Sequence, residues 1–325
     1  YCHDNPPPNA QDPDMNAVSS SPIRYAAEVQ AAIDEQRPVV ALESTIITHG
    51  MPYPGNLDMA RGVGGFIGDG GAGPATLAVM DGALRIGLDD EQLAALANTR
   101  DALKVSRADL AYAIAMGRTG GTTVAATKIA AHRAGIGVFA TGGIGGVHRG
   151  AETHFDISAD LDELARTPVI VVCAGAKAIL DLPKTMEVLE TKGVPVVTYG
   201  VDELPAFWSR QSGLRSPLRL DTTADIVRFH RTRTAMGLSG GMLIANPVPR
   251  EDEIPRAEMN GHIEAALAAA DARGVMGKAV TPFLLEEIFW ITEGRSLATN
   301  IALVKNNARL ATELAVALAA SQRGA

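Results

Sequence analysis

The chain has 325 residues, 46% of them hydrophobic, and a net charge of -8 at pH 7. A chain of this length can bury a large core as one domain or two, and its acidic balance excludes a broad basic surface that would bind a nucleic acid. With only two cysteines, no apolar run of about 18 to 20 residues and no apolar signal core near the start, we expect a cytoplasmic protein with no membrane partner.

Residues 1–20 are rich in Pro, Asn, Asp and Ser and contain few large apolar side chains. Such a composition cannot offset the entropy lost on ordering, so we predict a flexible N-terminal tail over 1–20 and one folded domain over 21–325. Ser21 and Pro22 are typical of a helix N-cap and first helical position. A helix is therefore predicted to open the fold.

Short apolar runs alternate with amphipathic stretches along the rest of the chain. The runs typical of buried strands are 38–42, 75–80, 136–140, 168–174, 194–199 and 241–246. The stretches typical of helices include 122–134, 181–192, 222–237 and a long final helix from about 297 to 318. This alternation predicts an α/β fold, a three-layer α/β/α sandwich with a mostly parallel sheet.

Lys177 follows an apolar run in which a buried strand is predicted over 169–173. The chain has seven lysines and twenty-two arginines, which makes each lysine a better functional candidate. Lysine can lose its proton, which arginine cannot, and a desolvated amine can attack a carbonyl and form a Schiff base. The alternative is a surface lysine just after a strand.

Glu43 follows the predicted strand 38–42 and precedes a loop rich in turn residues. Ligand sites in α/β sheets lie beyond the carboxyl ends of strands, so Glu43 is placed where a general acid belongs. The alternative is a cap of a helix or turn. His49, in the same loop, is a weaker candidate.

Two features could bind phosphate. The glycine-rich stretches 118–127 and 141–150 would let the backbone approach a ligand. The alternative is that each forms only a tight turn. Neither stretch matches the dinucleotide fingerprint. Lys104 precedes Ser106, a predicted helix N-cap, where phosphate would meet a cation and free backbone amides. An exposed lysine before a helix is the alternative.

The segment 148–160 concentrates oxygen and imidazole donors. They are His148, Arg149, Glu152, His154, Asp156, Ser158 and Asp160. The segment could hold a divalent cation that keeps several waters, or could be a solvated loop that caps a helix. A structural zinc site is not expected, since the sequence has neither a cysteine pair nor a His-x-x-x-His spacing.

Eight segments, taken in order, resemble the pseudouridine-5'-phosphate glycosidase family, which includes proteins called indigoidine synthase A-like. They are ALESTIITHGMPYP, KVSRADL, RTGGTTVAAT, TGGIGGVHRGAETHFDISADL, VVCAGAKAILDLPKTMEVLETKGVPV, GGMLIANPVP, TPFLLEEI and NIALVKNNARLA. The resemblance covers about residues 23–318. It implies that 21–325 forms one glycosidase domain of this kind.

The resemblance implies reversible hydrolysis of the C-glycosidic bond of pseudouridine 5'-phosphate to uracil and ribose 5-phosphate, through a lysine Schiff base with ring-opened ribose. It also implies a small nucleotide substrate, one Mn²⁺ ion per subunit and a homotrimer. The implied nucleophile is Lys177, the proton donor is Glu43 and the metal ligand is Asp156. The implied substrate contacts are Lys104, Val124, Ser158, Ala159, Asp160, His148 and Asn300.

One position departs from the family pattern. Many relatives have Gly-Asn-Ser or Gly-Lys-Ser before the final helix, whereas this chain has Gly294-Arg295-Ser296. Since Asn300 stays in place, we expect activity to persist, with Arg295 altering how a lid closes over the sugar. Two other functions stay open: a different Schiff-base lyase or aldolase that acts on a sugar phosphate, and a catalytically silent nucleotide-binding regulator.

Overall fold

The computed structural model describes residues 21–323, with the side chains of 21–322. The tail predicted over 1–20 lies outside the described residues. The fold opens with a strand, β1 (Ile23–Tyr25), that pairs in parallel with β4 (Ala83–Ile86). The helix predicted to start at Ser21 was therefore wrong at its beginning. A β-branched and an aromatic side chain at the two ends of β1 favour the strand, and the helix follows it.

The strands form one sheet of eleven within the described residues. The remaining strands are β2 (Val39–Leu42), β3 (Gly73–Met80), β5 (Leu103–Val105), β6 (Gly120–Thr122), β7 (Val138–Ala140), β8 (Ile170–Cys173), β9 (Val196–Tyr199), β10 (Leu218–Leu220) and β11 (Met242–Ala245). Their order is β1-β4-β3-β2-β7-β8-β11-β9-β10, and β6 branches from β3 to pair with β5. The antiparallel pairs among these strands are β3 with β4 and β3 with β6.

Helices cover the sheet. They are α1 (Ala27–Asp34), α2 (Thr45–His49), α3 (Gly55–Asp69), α4 (Asp90–Asn98), α5 (Arg107–Ala115), α6 (Val124–Arg133), α7 (Ala151–His154), α8 (Ala159–Arg166), α9 (Leu182–Thr191), α10 (Thr223–Ala235), α11 (Arg256–Ala272), α12 (Val280–Ile291) and α13 (Arg295–Arg323). Short 3₁₀ helices lie at Arg250–Asp252 and Gly277–Ala279.

The predicted three-layer sandwich with a mostly parallel sheet is confirmed. Helix α13 packs against β2, β7 and β8, while α6 packs against β2, β3 and β7. The six predicted strands are present, and β2, β7, β8 and β11 are buried at every residue, as expected for parallel strands covered on both faces. Over residues 21–323, no helix is both long and apolar enough to cross a bilayer, not even α13 with 29 residues.

Four of the buried strands run in the same direction side by side. The chain leaves β2 at Leu42, β7 at Ala140, β8 at Cys173 and β11 at Ala245. Because the carboxyl ends of parallel strands meet at one edge, the loops after these residues lie together. The candidate site lies at this edge.

Candidate functional site

A cavity at the carboxyl edge of the sheet brings together side chains that are distant in sequence. Its volume is about 70 Å³. The ionisable or polar side chains in its wall are Glu43, Thr45, His49, Lys104, Lys177, Thr281 and Asn300. Helix α12 contributes Pro282 and Leu285 to the wall, and Phe207 contributes an aromatic ring. The lysine and the glutamate predicted from the sequence therefore face the same space.

Glu43 is held by two hydroxyl groups. It follows the last residue of β2, and its Oε2 accepts a hydrogen bond from the Thr45 hydroxyl at the start of α2. Its Oε1 accepts from the Thr141 hydroxyl, which follows the neighbouring strand β7. The two donors fix the carboxyl group in the wall of the cavity.

A buried network of two amide side chains holds the Thr141 backbone. Asn307 of α13 is fully buried and donates from Nδ2 to the Thr141 carbonyl oxygen, 2.8 Å away. Its Oδ1 accepts from Asn246 Nδ2 at 3.1 Å. Buried polar networks whose groups are paired hold one arrangement of the surrounding backbone. Helix α13 thus links the ends of β7 and β11 beneath Glu43.

Lys177 reaches the cavity through a tight turn after β8. The turn includes Gly175 at φ +85°, where a Cβ atom would lie 2.4 Å from the Pro205 carbonyl oxygen, so the position requires glycine. The Lys177 backbone N–H donates to the Ile144 carbonyl at 3.1 Å. Its Nζ donates to the Gly143 carbonyl at 2.9 Å. The amine is therefore held at a defined point beside the glycine-rich loop.

Lys104 lies on β5 and supplies a second amine to the cavity. Burial lowers its pKa most, and the charge of Lys177 lowers it further, while Asp160 and Glu43 raise it. These mutual effects indicate that both lysines and Glu43 lie in one electrostatic environment. The expected N-cap at Ser106 is present in front of α5, but the neighbouring Arg107 pairs with Glu163 at 2.6 Å and is not free for an anion.

The N-termini of α6 and α8 meet through Asp160. One oxygen of its carboxylate accepts from the Ala125 backbone N–H at 2.9 Å, and the other accepts from the Gly145 N–H at 2.8 Å. Ser158 caps α8, its Oγ accepting from the Asp160 N–H at 3.2 Å. The Asp160 carboxylate is therefore occupied by backbone donors, and its direct role here is to join the two helix ends.

Val124 and Ala159 are the first residues of α6 and α8. The Val124 side chain is buried, whereas Ala159 is exposed. The first N–H groups of a helix have no partner within it and carry partial positive charge. Any ligand contact at these two positions would therefore use backbone N–H groups, which suit an anion.

His148 and Asp156 lie in the loop segment around α7. The His148 backbone N–H donates to the Asp156 carbonyl at 3.0 Å. Burial lowers the pKa of His148 most, Asp156 raises it, and Lys104 and Lys177 lower it. The two lysines in the wall of the cavity therefore also affect the pKa of His148. Asp156 is half-buried, and its N–H donates to His154 Nδ1 at 3.1 Å.

The predicted donor-rich segment does not gather its side chains around one point. Over the described part of the chain, no three His, Cys, Asp or Glu side chains are placed to hold a metal ion together. Glu152 instead pairs with Lys184 at 2.8 Å. Asp156 thus supplies a single carboxylate, which suits only an ion that keeps most of its waters.

An outer cavity of about 370 Å³ adjoins the first. The two share His49 and Asn300, and Trp208, Phe289 and Trp290 lie only in the outer wall. The Oδ1 atom of Asn300 is buried and has no hydrogen-bond partner. An unpaired buried acceptor costs free energy, so this atom is ready to accept from a ligand.

His49 stands at the boundary of the two cavities. Its Nδ1 lies 2.7 Å from the Thr48 hydroxyl. Burial lowers the pKa of His49 most, Lys104 lowers it further, and a hydrogen bond with the Ala102 carbonyl raises it. The ring is therefore tied to the segment that precedes Lys104 and is neutral near pH 7.

Comparisons with known proteins show the family of this chain. The family described as indigoidine synthase A like protein matches residues 28–317. The chain belongs to this family. It is 67% identical to a pseudouridine-5'-phosphate glycosidase of Mesorhizobium japonicum over 296 residues, covering 91% of this chain and 97% of the relative. It is 63% identical to a protein of the same name from Paracoccus denitrificans, covering 91% and 98%.

Solved structures of family members have the same fold. The prealnumycin C-glycosynthase AlnA in complex with ribulose 5-phosphate is 37% identical, with a TM-score of 0.86, and the match covers 93% of this chain and 99% of that one. An indigoidine synthase A-like protein from Thermotoga maritima is 34% identical, with a TM-score of 0.83 and coverage of 91% and 96%.

Within the family fold, Arg295 lies at the junction of α12 and α13. Its guanidinium pairs with both carboxylate oxygens of Glu258 on α11, at 2.6 and 3.2 Å, on the surface. The following residue, Ser296, is buried, and its carbonyl accepts from Trp208 Nε1 at 3.0 Å. The ion pair of Arg295 thus joins the start of α13 to α11, while its effect on closure stays a prediction.

Several residues in the wall or beside it were given no role from the sequence. Thr141 and the α12 residues lie in segments that carry the family resemblance, and Phe207 does not. Their contacts depend on strands and helices that meet only in the fold. Thr141 had one usable signal, since it directly follows a predicted strand, as Glu43 does. The same rule would have placed both at one edge.

Proposed function

We propose that this chain is a hydrolase that cleaves the C-glycosidic bond of pseudouridine 5'-phosphate to uracil and ribose 5-phosphate. The observation that carries the proposal is the shared cavity of Lys177, Glu43 and Lys104. The cavity gathers two amines and a carboxyl group around one small space, which supports the proposed roles of nucleophile, cation and proton donor. The names of relatives at 67% and 63% identity support the choice of substrate.

The bond to be broken explains why an amine is required. In pseudouridine the sugar carbon C1' is bonded to carbon C5 of uracil, and simple departure of the base would create a poor carbanion. An amine bonded to C1' offers an electron pair that replaces the pair lost with the base. Lysine can supply this pair, whereas the charged guanidinium of arginine cannot.

Ring opening is the first step of the proposed reaction. Glu43 donates a proton to the ring oxygen O4', the C1'–O4' bond breaks, and the neutral amine of Lys177 bonds to C1'. The hydroxyls of Thr45 and Thr141 hold the Glu43 carboxyl group during this transfer. The Gly143 carbonyl holds the Lys177 amine at 2.9 Å before attack.

Cleavage follows from the open-chain adduct. The adduct nitrogen returns a proton to the Glu43 carboxylate, and Glu43 donates it to C5 of uracil. The C1'–C5 bond then breaks, and the nitrogen pair of Lys177 forms a C1'=N bond, which is the Schiff base. Water then adds to C1', and ribose 5-phosphate leaves as the free aldehyde while the amine is restored. The reverse of each step is available, so the reaction is reversible.

The phosphate and the base occupy opposite ends of the site in this proposal. Lys104 and the N-termini of α6 and α8, with Val124 and the run Ser158, Ala159 and Asp160, form the phosphate end. The unpaired Oδ1 of Asn300 accepts from an N–H of the base. His148, whose pKa is lowered by Lys104 and Lys177, is assigned to the sugar phosphate in the same proposal.

We also propose that a hydrated Mn²⁺ ion is held by the Asp156 carboxylate, one per subunit. The donor set fits such an ion because hard cations of this kind often bind through one carboxylate and several waters. When bound, the ion supplies positive charge and ordered water. Titration of Mn²⁺, followed by electron paramagnetic resonance, should show one site that Asp156→Asn removes; equal binding by both proteins would contradict the assignment.

We propose that the chain forms a homotrimer and lies in the cytoplasm. Phe155, which flanks Asp156, is 80% exposed, and Trp290 is 68% exposed. Large exposed apolar side chains often lie in contacts between subunits, which supports an assembly of subunits, proposed here as a homotrimer. A cytoplasmic location is consistent with the acidic charge and the buried, unpaired Cys173.

The test of the proposed function is uracil release from pseudouridine 5'-phosphate, with and without Mn²⁺. A Schiff-base aldolase would instead cleave an aldol substrate and release no uracil. A silent regulator would bind the nucleotide without turnover. Absence of uracil release by folded protein under both conditions would reject the proposal.

A further inference from the structure

Another cavity opens beside α11. Its volume is about 490 Å³, within the roughly 300 to 1,000 Å³ typical of ligand pockets. The residues in its wall come from 149–152, 178–184, 206–214 and the first half of α11, and we call it the α11 cavity. Among residues 21–322, it shares no wall residue with the cavity beside Lys177 or with the outer cavity. It is therefore a separate space.

The α11 cavity lies next to the candidate site. Lys177 lines the cavity at the carboxyl edge of the sheet, whereas the next residue, Ala178, lines the α11 cavity. In the same way, Phe207 lines the first cavity and Ala206 lines the α11 cavity. Consecutive residues of two segments thus separate the two spaces. A ligand in the α11 cavity would lie close to Lys177 without contacting its amine.

The buried part of the wall is apolar. Leu180, Ala206, Met259 and Ile263 all line the α11 cavity and are buried. Apolar lining suits the carbon skeleton of a ligand, while a few polar groups determine how the ligand is oriented. The polar groups of this wall therefore indicate which head group a ligand would carry.

The wall carries more positive than negative charge. Its ionised side chains are Arg149, Lys184 and Arg256, against Glu152 and Asp181. Both carboxylates pair with Lys184, whose Nζ lies 2.8 Å from Glu152 and 3.0 Å from Asp181. Burial raises the pKa of Asp181, but hydrogen bonds from Lys184 and the charges of Lys184 and Arg149 lower it overall. Within the part of the chain that the structure describes, neither arginine is in an ion pair with a carboxylate. Two guanidinium groups are thus available to an anion.

The glycine at position 213 makes room for the Arg256 guanidinium. Gly213 has φ +80°, and a Cβ atom there would lie 2.2 Å from Arg256 Nη1. The preceding residue, Ser212, is buried, and its Oγ accepts from the Leu214 N–H at 3.1 Å. Over the described residues, the proton of the Ser212 hydroxyl has no acceptor. The backbone thus brings a guanidinium and a buried hydroxyl donor together in one wall.

We propose that the α11 cavity binds a phosphate monoester. Arg256 and Ser212 hold the phosphate group, Arg149 adds a second guanidinium charge, and the apolar wall contacts the organic part of the ligand. A phosphate monoester carries a charge of about −1.5 to −2 at pH 7 and three acceptor oxygens, and guanidinium groups bond such oxygens in pairs. A carboxylate offers less charge and fewer oxygens to the same donors. The inference does not depend on the proposed function, because it involves no turnover.

The experiment measures binding of phenyl phosphate by isothermal titration calorimetry. The parent protein carries Lys104→Met, because Lys104 belongs to the phosphate end proposed for the reaction and its replacement removes that competing cation. This parent should bind one phenyl phosphate per chain. Benzoate, which has the same ring and a carboxylate, should bind at least about tenfold more weakly. Binding of phenyl phosphate should also weaken as salt is added, as expected for a charged head group.

Two variants of this parent test the wall of the α11 cavity. Arg256→Gln removes a guanidinium, and Asn260→Glu adds a carboxylate at an exposed position in the wall. Each should raise the Kd of phenyl phosphate at least about tenfold, because a hydrogen bond to a charged group is lost or opposed. Arg133→Gln, at an exposed arginine outside this wall, is the matched control and should bind as the parent does. Melting temperatures show whether each variant is folded, and Asn260→Glu keeps the test valid if Arg256→Gln is not.

The results separate this inference from the proposed function. No binding of phenyl phosphate by the parent would overturn the inference. A Kd that neither Arg256→Gln nor Asn260→Glu changes would also overturn it, since the ligand would then bind elsewhere, and equally tight binding of benzoate would overturn the choice of a phosphate monoester. A protein that binds phenyl phosphate as expected but releases no uracil from pseudouridine 5'-phosphate would reject the proposed function alone.

Discussion

The Thr141 hydroxyl donates a hydrogen bond to Glu43, and this contact joins the carboxyl ends of two adjacent strands, β7 and β2. The Thr141 carbonyl is in turn held by Asn307 from α13. The proposed proton donor is thus oriented by a strand, a neighbouring strand and a helix together. Such support keeps a catalytic carboxyl group in one position.

Thr141→Val should therefore reduce kcat more than it affects KM. The variant keeps the shape of the side chain but removes the donor to Glu43. Leaving a buried group without its hydrogen-bond partner costs about 1–3 kcal/mol, so kcat should fall roughly 5- to 150-fold in steady-state assays of uracil release. Thr312→Val, which removes a buried hydroxyl bonded to Ala308 within α13, is the matched control and should keep the wild-type kcat. Equal effects of the two variants would argue against a special role for Thr141.

Gly145→Ala should weaken substrate binding at the phosphate end. A Cβ atom there would lie 2.3 Å from Ser158 Oγ and 2.8 Å from Asp160 Oδ2, so the N-terminus of α8 must shift. A displacement of about 1 Å in a binding group can cost on the order of a hundredfold, and we expect KM to rise at least about tenfold. Gly137→Ala meets nothing within 4 Å and is the control. An unchanged KM in Gly145→Ala would separate α8 from the phosphate site.

Lys128 should make stability depend on pH. Its side chain is fully buried, and its Nζ donates to the Val169 carbonyl at 2.9 Å. Burial lowers its pKa from 10.5 to about 7, against the raising effects of Glu163 and Asp160. Between these values the unfolded chain binds one more proton than the folded one, so the free energy of unfolding should increase as pH rises from 7.

Lys128→Met should flatten this dependence, because methionine fills a similar volume and does not titrate. Urea unfolding at about pH 7, 7.75 and 8.5 would give the slope of the free energy of unfolding against pH for each protein. These pH values lie between the folded and the unfolded pKa of Lys128. Lys305→Met, at a partly exposed lysine of α13, should keep the wild-type slope. A wild-type slope in Lys128→Met would mean that Lys128 is not deprotonated in the folded state near neutral pH.

Much of the central sheet could be predicted from the sequence because buried parallel strands are continuous apolar runs. Strands β2, β7, β8 and β11 lie where the sequence predicted them. Glu43 and Lys177, which follow β2 and β8, are therefore at the predicted edge of the sheet. The short strands were missed for physical reasons. β6 begins with two glycines, which disfavour strands, and it forms because it pairs with both β3 and β5.

Roles that depend on tertiary contacts could not be predicted. The Asp160 carboxylate is bonded to the backbone of two segments that are distant in sequence, and nothing in its neighbourhood along the chain indicates this. Likewise, the placement of α12 over the cavity follows from its packing against α11 and α13. The family resemblance identified positions, and the fold supplied what each side chain contacts.

The central claim is that the amine of Lys177 bonds covalently to C1' of ring-opened ribose. Two substitutions test this claim. Lys177→Ala should lower turnover by about a thousandfold or more, and Lys177→Arg should do the same although it keeps the charge. Both proteins should retain the wild-type melting temperature. If the melting temperature of both variants were lowered, their loss of turnover would be explained by impaired folding.

The most direct measurement is mass spectrometry of the protein after borohydride reduction in the presence of pseudouridine 5'-phosphate, with peptide mapping of the modified residue. The account predicts one added pentose phosphate, reduced and attached at Lys177, and no such adduct in Lys177→Ala. A turning-over enzyme with no adduct, or with the pentose attached at Lys104 instead, would contradict it.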